Sequence, residues 1–173
     1  SCVTLIAGDI AKLPAKVMQR DPVTKVFKET LLRPVLRKPN SYQTRLEFFL
    51  CWLFCQLLHG NTYVLKVRDA KGFIIALHVL DPTRVTTLVS DDGGVYYRLN
   101  SDNLSGLAAV VTVPASEIIH DRMYTLHHPL VGVSPIYACG LPAMQGAAIV
   151  NNSANFFSNA SRPSGVLTAP GKI

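Results

Sequence analysis

The sequence predicts an α+β fold in which short amino-terminal helices precede a buried helix packed on an antiparallel β meander, followed by a long helix. Three observations carry this. Residues 41–59 hold apolar side chains at helical spacing between a capping residue and a glycine. Residues 61–121 alternate short β-branched and aromatic runs with turn-forming Asp, Gly and Pro. Ser134-Pro135 then opens a stretch rich in Ala, Gly and Asn that holds no formal charge through residue 159.

In chain order, residues 1–40 read as a basic helix and strand segment, with a helix over 3–13, a strand candidate over 15–20 and a turn at Pro22. Phe27, Leu31, Leu32 and Val35 recur at helical spacing, so a short helix should end before Pro39, with Pro34 spoiling its last turn. Residues 41–126 hold the buried helix and the meander. Asn40 and Gln43 form the expected capping pair and Gly60 the stop. Leu46, Phe49, Leu50, Leu53 and Leu57 make an apolar face, and Phe48, Cys51, Trp52, Phe54, Cys55 and Leu58 widen it enough to predict burial on nearly all sides. Strands are expected over 63–67, 73–80, 85–89 and 95–99, with Asp69-Ala70-Lys71-Gly72, Asp81-Pro82 and Asp91-Asp92-Gly93-Gly94 as turns. Residues 108–113 and 118–120 add one or two more, and Pro114 favours an edge or a break. Residues 127–173 read as a loop, a helix from Pro135 to about Asn159, and a strand start over 165–168.

Composition narrows the function. Charged residues are 16% of 173, against about 25% in an ordinary soluble domain. Much of the surface is therefore neutral or apolar, as in a subunit that buries area against neighbours. Charge is also uneven, because nine basic residues face two acidic ones over residues 12–45, while residues 46–173 balance. Such a block suits phosphate or an acidic protein surface, and a solvated basic face remains the plainer reading. The longest nearly apolar run, residues 48–58, is too short to span a membrane. The start at Ser1 lacks an initiator Met and a signal-peptide pattern, which predicts a trimmed chain, and the final residues read as cut off. Four scattered cysteines suit a reducing compartment, where the sequons at Asn103, Asn151 and Asn159 carry no glycan.

Candidate chemistry is thin. Cys51-x-x-x-Cys55 shares one helix face but lacks two further zinc ligands, so both thiols read as small hydrophobes. His127-His128 reads as loop, Ser134 as a helix cap, and Asp91-Asp92-Gly93-Gly94 as a turn rather than a calcium loop. Cys139 with His120 or His128 would make a thiol and base, yet Cys139 is expected inside a helix, away from the end that activates a thiolate. No phosphate loop, dinucleotide fingerprint or paired carboxylates occur. No enzyme, cofactor or metal is expected.

The features that fix shape are Pro39-Asn40, Gly60-Asn61-Thr62-Tyr63-Val64, Leu80-Asp81-Pro82-Thr83-Arg84-Val85, Gly132-Val133-Ser134-Pro135-Ile136, and the run from Phe156 to Leu167. In this order and spacing they resemble the portal proteins of tailed bacteriophages, the siphovirus type especially, over residues 31–167. The resemblance implies a wedge-shaped subunit of a ring, usually twelvefold, at one capsid vertex of the virion. Double-stranded DNA passes through such a ring, and terminase, the major capsid protein and head-completion and tail proteins attach to it. It implies no catalytic residue and no membrane, and this sequence matches mainly the amino-terminal wing-type body.

On that reading Arg33, Arg37, Lys38 and Arg45 are candidates to face a capsid shell, a neighbouring subunit or DNA. Arg84, Arg98, Tyr137, Phe156 and Phe157 are candidates for a subunit interface, since a head-to-tail ring needs two different buried surfaces. The alternative is a nucleic-acid-binding domain that uses residues 12–45 directly. That segment has only Phe27 and Tyr42 to stack on bases.

Overall fold

Strand β3 (Asn61–Arg68) is buried over its first five residues because protein covers it on both faces and along both edges. It pairs antiparallel with β4 (Ile74–Leu80) and with β8 (Ile118–Arg122), giving the order β4-β3-β8. The computed structural model describes residues 2–14, 16–30 and 34–159, in two compact units, Ser1–Pro135 and Ile136–Ile173. The alternation of β3 divides the core of the first unit. Tyr63 and Leu65 point to one side and pack with Leu80, Tyr97, Leu99 and Ile118, whereas Val64 points to the other and packs with Phe48 and Leu77.

The first of these clusters lies against a second antiparallel sheet, β5 (Val85–Val89), β6 (Val95–Leu99) and β7 (Val111–Pro114), in the order β5-β6-β7. The α+β class therefore holds, but the strands form two sheets rather than one meander. Pro82 is the physical reason. It lacks an N–H for a ladder and starts a one-turn 3-10 helix, Pro82–Arg84, that turns the chain from one sheet into the other. Asp81 fixes the turn by accepting from the Thr83 N–H at 2.9 Å and the Thr83 hydroxyl at 2.7 Å. The expected hairpin turns form, with Gly72 at φ 83° and Gly93 at φ 81°. Pro114 closes β7, an edge strand, where its missing donor costs no hydrogen bond.

The second cluster sits beneath helix α3 (Arg45–His59). Its cap is Thr44, not Asn40: the Thr44 side chain accepts from the Glu47 N–H while the Glu47 carboxylate accepts from the Thr44 N–H. The pattern Thr-x-x-Glu outcompetes Asn40 because Asn40 is used elsewhere. Its Oδ1 accepts from the N–H groups of Tyr42 and Gln43, and its Nδ2 donates to the Leu77 carbonyl at 3.0 Å. The expectation that this helix is buried on nearly all sides also fails. Phe48 alone is fully buried, residues 51–57 are half-buried, and Leu46 and Leu58 are 41% and 46% exposed.

Helix α1 (Cys2–Ala11) packs on α3 through Ala7 and Ala11, whose small side chains allow close approach. Strand β1 (Val17–Arg20) forms a hairpin with β2 (Phe27–Thr30), so Phe27 belongs to a strand and not to the expected helix. Asp21 closes this hairpin by accepting from Lys28 Nζ and from the Val23 and Thr24 N–H groups, which hold its carboxyl at about 2. Among the described residues of this stretch the helix is α2 (Pro34–Arg37), where proline is tolerated at the first position. Leu31 and Leu32, and the strand expected over 165–168, lie outside the described residues. The expected single long helix is divided into α4 (Pro135–Ala138) and α5 (Gly140–Ser158), with Cys139 between them.

The sequence runs around Gly60 and Gly132 clasp one another. Asn61 Nδ2 donates to the Gly132 carbonyl at 2.8 Å and its Oδ1 accepts from the Gly132 N–H at 2.8 Å. The same Oδ1 meets His120 Nε2 at 3.1 Å, and His120 Nδ1 meets the Tyr97 hydroxyl at 3.0 Å. Asn61 can only accept at that oxygen, so Nε2 carries the proton and Nδ1 accepts from Tyr97. Gly60 takes φ 76° to end α3, and a Cβ there would lie 2.4 Å from the Val133 carbonyl carbon. A Cβ on Gly132 would lie 2.1 Å from the Gly60 oxygen. The Ser134 hydroxyl donates to the Leu57 carbonyl at 2.8 Å, one of the last four carbonyls of α3, which have no partner within the helix.

Two outcomes follow from this clasp. Gly132→Ala and Asn61→Ala should each destabilise the fold by about 2–3 kcal/mol, the first by backbone overlap and the second by leaving buried groups of Gly132 unpaired, as urea unfolding would read. Burial, and then the Arg122 charge, push His120 down to about 4. Because the folded state takes up its proton only well below the ordinary range, stability should fall as pH drops from about 6.5 to about 4, by on the order of 1–2 kcal/mol. His120→Gln should flatten that part of a melting-temperature profile against pH.

Candidate functional site

Three of the four basic candidates meet at one place. Arg37, Lys38 and Arg45 line an open groove of about 580 Å³ at the α2–α3 junction, together with Ser41, Tyr42, Gln43 and Thr44. Proline at the start of α2 and Pro39 after it keep this segment short, and the Asn40 bonds pin the loop to β4, so the cations are held on one rim. Arg45 donates through Nη1 to the Leu13 carbonyl at 3.1 Å, which leaves much of its guanidinium facing the groove. Tyr42 Oη, on the groove lining, lies 2.9 Å from His78 Nδ1, and burial raises the tyrosine and lowers the histidine, so the pair is held neutral. Glu47 lies at the same helix start, but Thr44 engages its carboxylate in the capping box. Arg33 lies outside the described residues.

The interface candidates are spread over both units. Arg84 is the exposed last residue of the 3-10 turn, and its guanidinium donates to the Ser101 carbonyl of its own chain. Arg98 is exposed on β6, between Thr86 of β5 and Thr112 of β7. Tyr137 lies on α4, and Phe156 and Phe157 end α5 with their rings edge to face, 5.8 Å apart. Tyr137 and Phe157 are 73% and 70% exposed. Helix α5 also exposes Met144, Ile149 and Val150 and carries no charged residue. An uncharged helix with exposed apolar side chains requires cover from something else.

One of the catalytic expectations is corrected by the structure. Cys139 does not lie inside a helix but at the amino-terminal end of α5, exposed, with no cap bond from its side chain. The base weighed for it is spoken for: both ring nitrogens of His120 are held by Asn61 and Tyr97, and His128 Nδ1 accepts from the Leu130 N–H. Cys51 and Cys55 are half-buried in α3, and their mutual hydrogen bond, then burial, push the Cys55 thiol up. Asp91 to Gly94 is a hairpin turn, with Gly93 N–H donating to the Ser90 carbonyl. Among the described residues no three His, Cys, Asp or Glu side chains converge to hold a metal, and no helix is long and apolar enough to cross a membrane.

The role of His120 escaped the sequence reading because its partners, Asn61, Tyr97 and the loop at Gly132, come from distant parts of the chain. The groove was half visible: the cations were legible as a charge block, but their convergence needed the turn at Pro39-Asn40.

Comparison with known proteins gives the arrangement its family. The family model described as "Phage portal protein" matches residues 1–173, the whole chain. A "Portal protein" of Enterobacteria phage HK97 is 27% identical over 177 residues, spanning 99% of this chain and 40% of that protein. An "Uncharacterized protein" of Rickettsia felis is 27% identical over 172 residues, spanning 96% of this chain and 43% of that one. Among solved structures, a chain in "Neck of empty GTA particle computed with C6 symmetry" superposes with a TM-score of 0.76 at 26% identity, covering 97% of this chain and 47% of that one. A chain in "Neck of native GTA particle computed with C12 symmetry" gives 0.72 at 27% identity, covering 97% and 46%. This chain thus spans less than half the length of these relatives. With the entire sequence matched by the family and the fold shared with particle-neck chains, this chain belongs to the phage portal protein family.

Proposed function

We propose that this chain is the wing-type body of a ring-forming portal subunit at the capsid vertex of a virion-like particle, where its role is structural. The observation that carries the proposal is a match to the portal family along the whole chain, joined to likeness with necks analysed in C6 and C12 symmetry. The physical features agree with it. A ring subunit must offer two different surfaces, one to each neighbour. The uncharged α5, with Phe156 and Phe157 exposed, and the outer sheet carrying Arg84 and Arg98 are two such surfaces on one chain.

The finer parts of this reading concern the whole protein. Its ring would surround the channel for double-stranded DNA in packaging and ejection, and would offer docking positions to terminase, the major capsid protein and head-completion and tail proteins. A basic block contacting DNA directly is the competing reading, favoured by the convergence of Arg37, Lys38 and Arg45. It has little aromatic support, since Phe27 lies on β2, away from the groove lining, and Tyr42 is engaged with His78.

Negative-stain microscopy of the full-length protein should give closed rings with a central channel, while the isolated 173 residues bind duplex DNA weakly; soluble monomers at every concentration, or salt-steep tight binding by the fragment, would favour the competing reading. In the full-length protein, Phe156→Ser with Phe157→Ser should shift sedimentation from rings towards monomers. Arg98→Glu should weaken assembly by about 0.5–1 kcal/mol per contact. Assembly unchanged in both variants would remove these surfaces from the interface.

A further inference from the structure

We propose that the basic groove at the α2–α3 junction receives the acidic β5–β6 turn of a second copy of this chain, which makes the two ends of one head-to-tail contact. The inference rests on the ring reading above and adds to it the identity of the two mating surfaces.

The charge pattern of the first unit carries it. Most carboxylates there have local work. Asp9 is 3.6 Å from Lys12, Asp21 is 2.9 Å from Lys28 and Glu117 is 2.9 Å from Arg68. Glu47 closes a helix cap, Asp69 and Asp81 close turns, Asp102 accepts from Ser105, and Asp121 accepts from Trp52 Nε1 at 2.8 Å. Asp91 has no described hydrogen bond or ion pair from its side chain, and its neighbour Asp92 works only within its own turn. They sit side by side at an exposed hairpin tip, and among the described residues no cation lies within ion-pair distance of either. Asp92 accepts only from its own turn, from the Gly94 N–H at 3.1 Å and from Ser90.

The groove is the reverse case. Arg37 and Lys38 are exposed and, among the described residues, no carboxylate lies within ion-pair distance of them. Arg45 spends one nitrogen on the Leu13 carbonyl. No described ion pair or hydrogen bond joins groove to turn within one copy. Both belong to the same compact unit, Ser1–Pro135, so their separation is set by one core and is alike in every subunit. Two unlike, mutually complementary patches at a fixed offset are what a closed ring requires. The groove's open volume, about 580 Å³, accommodates a narrow turn whose Gly93 and Gly94 carry no side chain.

Charge exchange in the full-length protein tests this. Arg37→Glu with Lys38→Glu, and separately Asp91→Lys with Asp92→Lys, should each raise the concentration for half-assembly about tenfold or more at about 150 mM salt. The variant carrying all four substitutions should return to within about threefold of the unaltered protein, because opposite charges again meet. Melting curves identify any reversal that harms folding, for which Asp91→Asn with Asp92→Asn is the substitute. An unaltered protein that forms rings, with reversals that leave assembly unchanged or a fourfold variant no better than the worse reversal, overturns this contact and leaves the ring intact. Loss of DNA retention with normal assembly on reversing Arg37 and Lys38 assigns the groove to nucleic acid and overturns it equally. An unaltered protein that forms no ring fails the ring reading itself.

Discussion

The side chain of Asn61 is the constraint on which the larger unit depends. One amide uses both of its donors, on the carbonyls of Gly132 and His59, and accepts twice at its oxygen, from Gly132 and His120. It joins the end of α3, the start of the central strand, the last strand of the same sheet and the loop that leads to the second unit. Such a node is favourable only when fully satisfied, since each buried group left unpaired would cost about 1–3 kcal/mol. The close approach of Gly60 and Gly132 is what lets the amide reach both backbone groups.

Around that node the first unit is built in layers. Helix α3 covers one face of the β4-β3-β8 sheet and the β5-β6-β7 sheet covers the other. Trp52 ties helix to sheet twice, through its indole N–H on Asp121 and through its carbonyl, which accepts from the Thr62 hydroxyl at 2.7 Å. The polar groups of this layer are thus paired inside the unit, whereas α5 leaves Met144, Ile149, Val150 and Phe157 exposed.

The charge economy points the same way. A chain with 16% charged residues has few to spare, and most of its carboxylates are spent on caps, turns and local pairs. Among the described residues, Arg37 and Lys38 in the groove and Asp91 and Asp92 at the hairpin tip are some of those with no ion-pair partner, and they form two compact patches of opposite sign. Exposed pairs contribute little to the stability of a single copy, but charges brought together across an interface select partner and register.

Local features were legible in the sequence wherever a few neighbouring residues decide the outcome. Strands β5 and β6, the glycine stop of α3 and the Asp91 to Gly94 turn each follow from alternation, capping or the left-handed preference of glycine. The start of α3 was not legible in this way, because Asn40 and Gln43 carry capping-box chemistry of their own and only the fold commits Asn40 to Leu77 and leaves the cap to Thr44 and Glu47. The family's ordered turns and caps were also readable, since they are short runs at fixed spacing. Tertiary structure alone decided that the strands separate into two sheets, that Phe27 joins a hairpin, that α3 is half-covered and that His120 is a neutral link rather than a base. The basic block likewise became a groove only when Pro39 and Asn40 turned Arg37 and Lys38 towards Arg45. Each of these depends on contacts between residues far apart in the chain, whose energies local propensity does not contain.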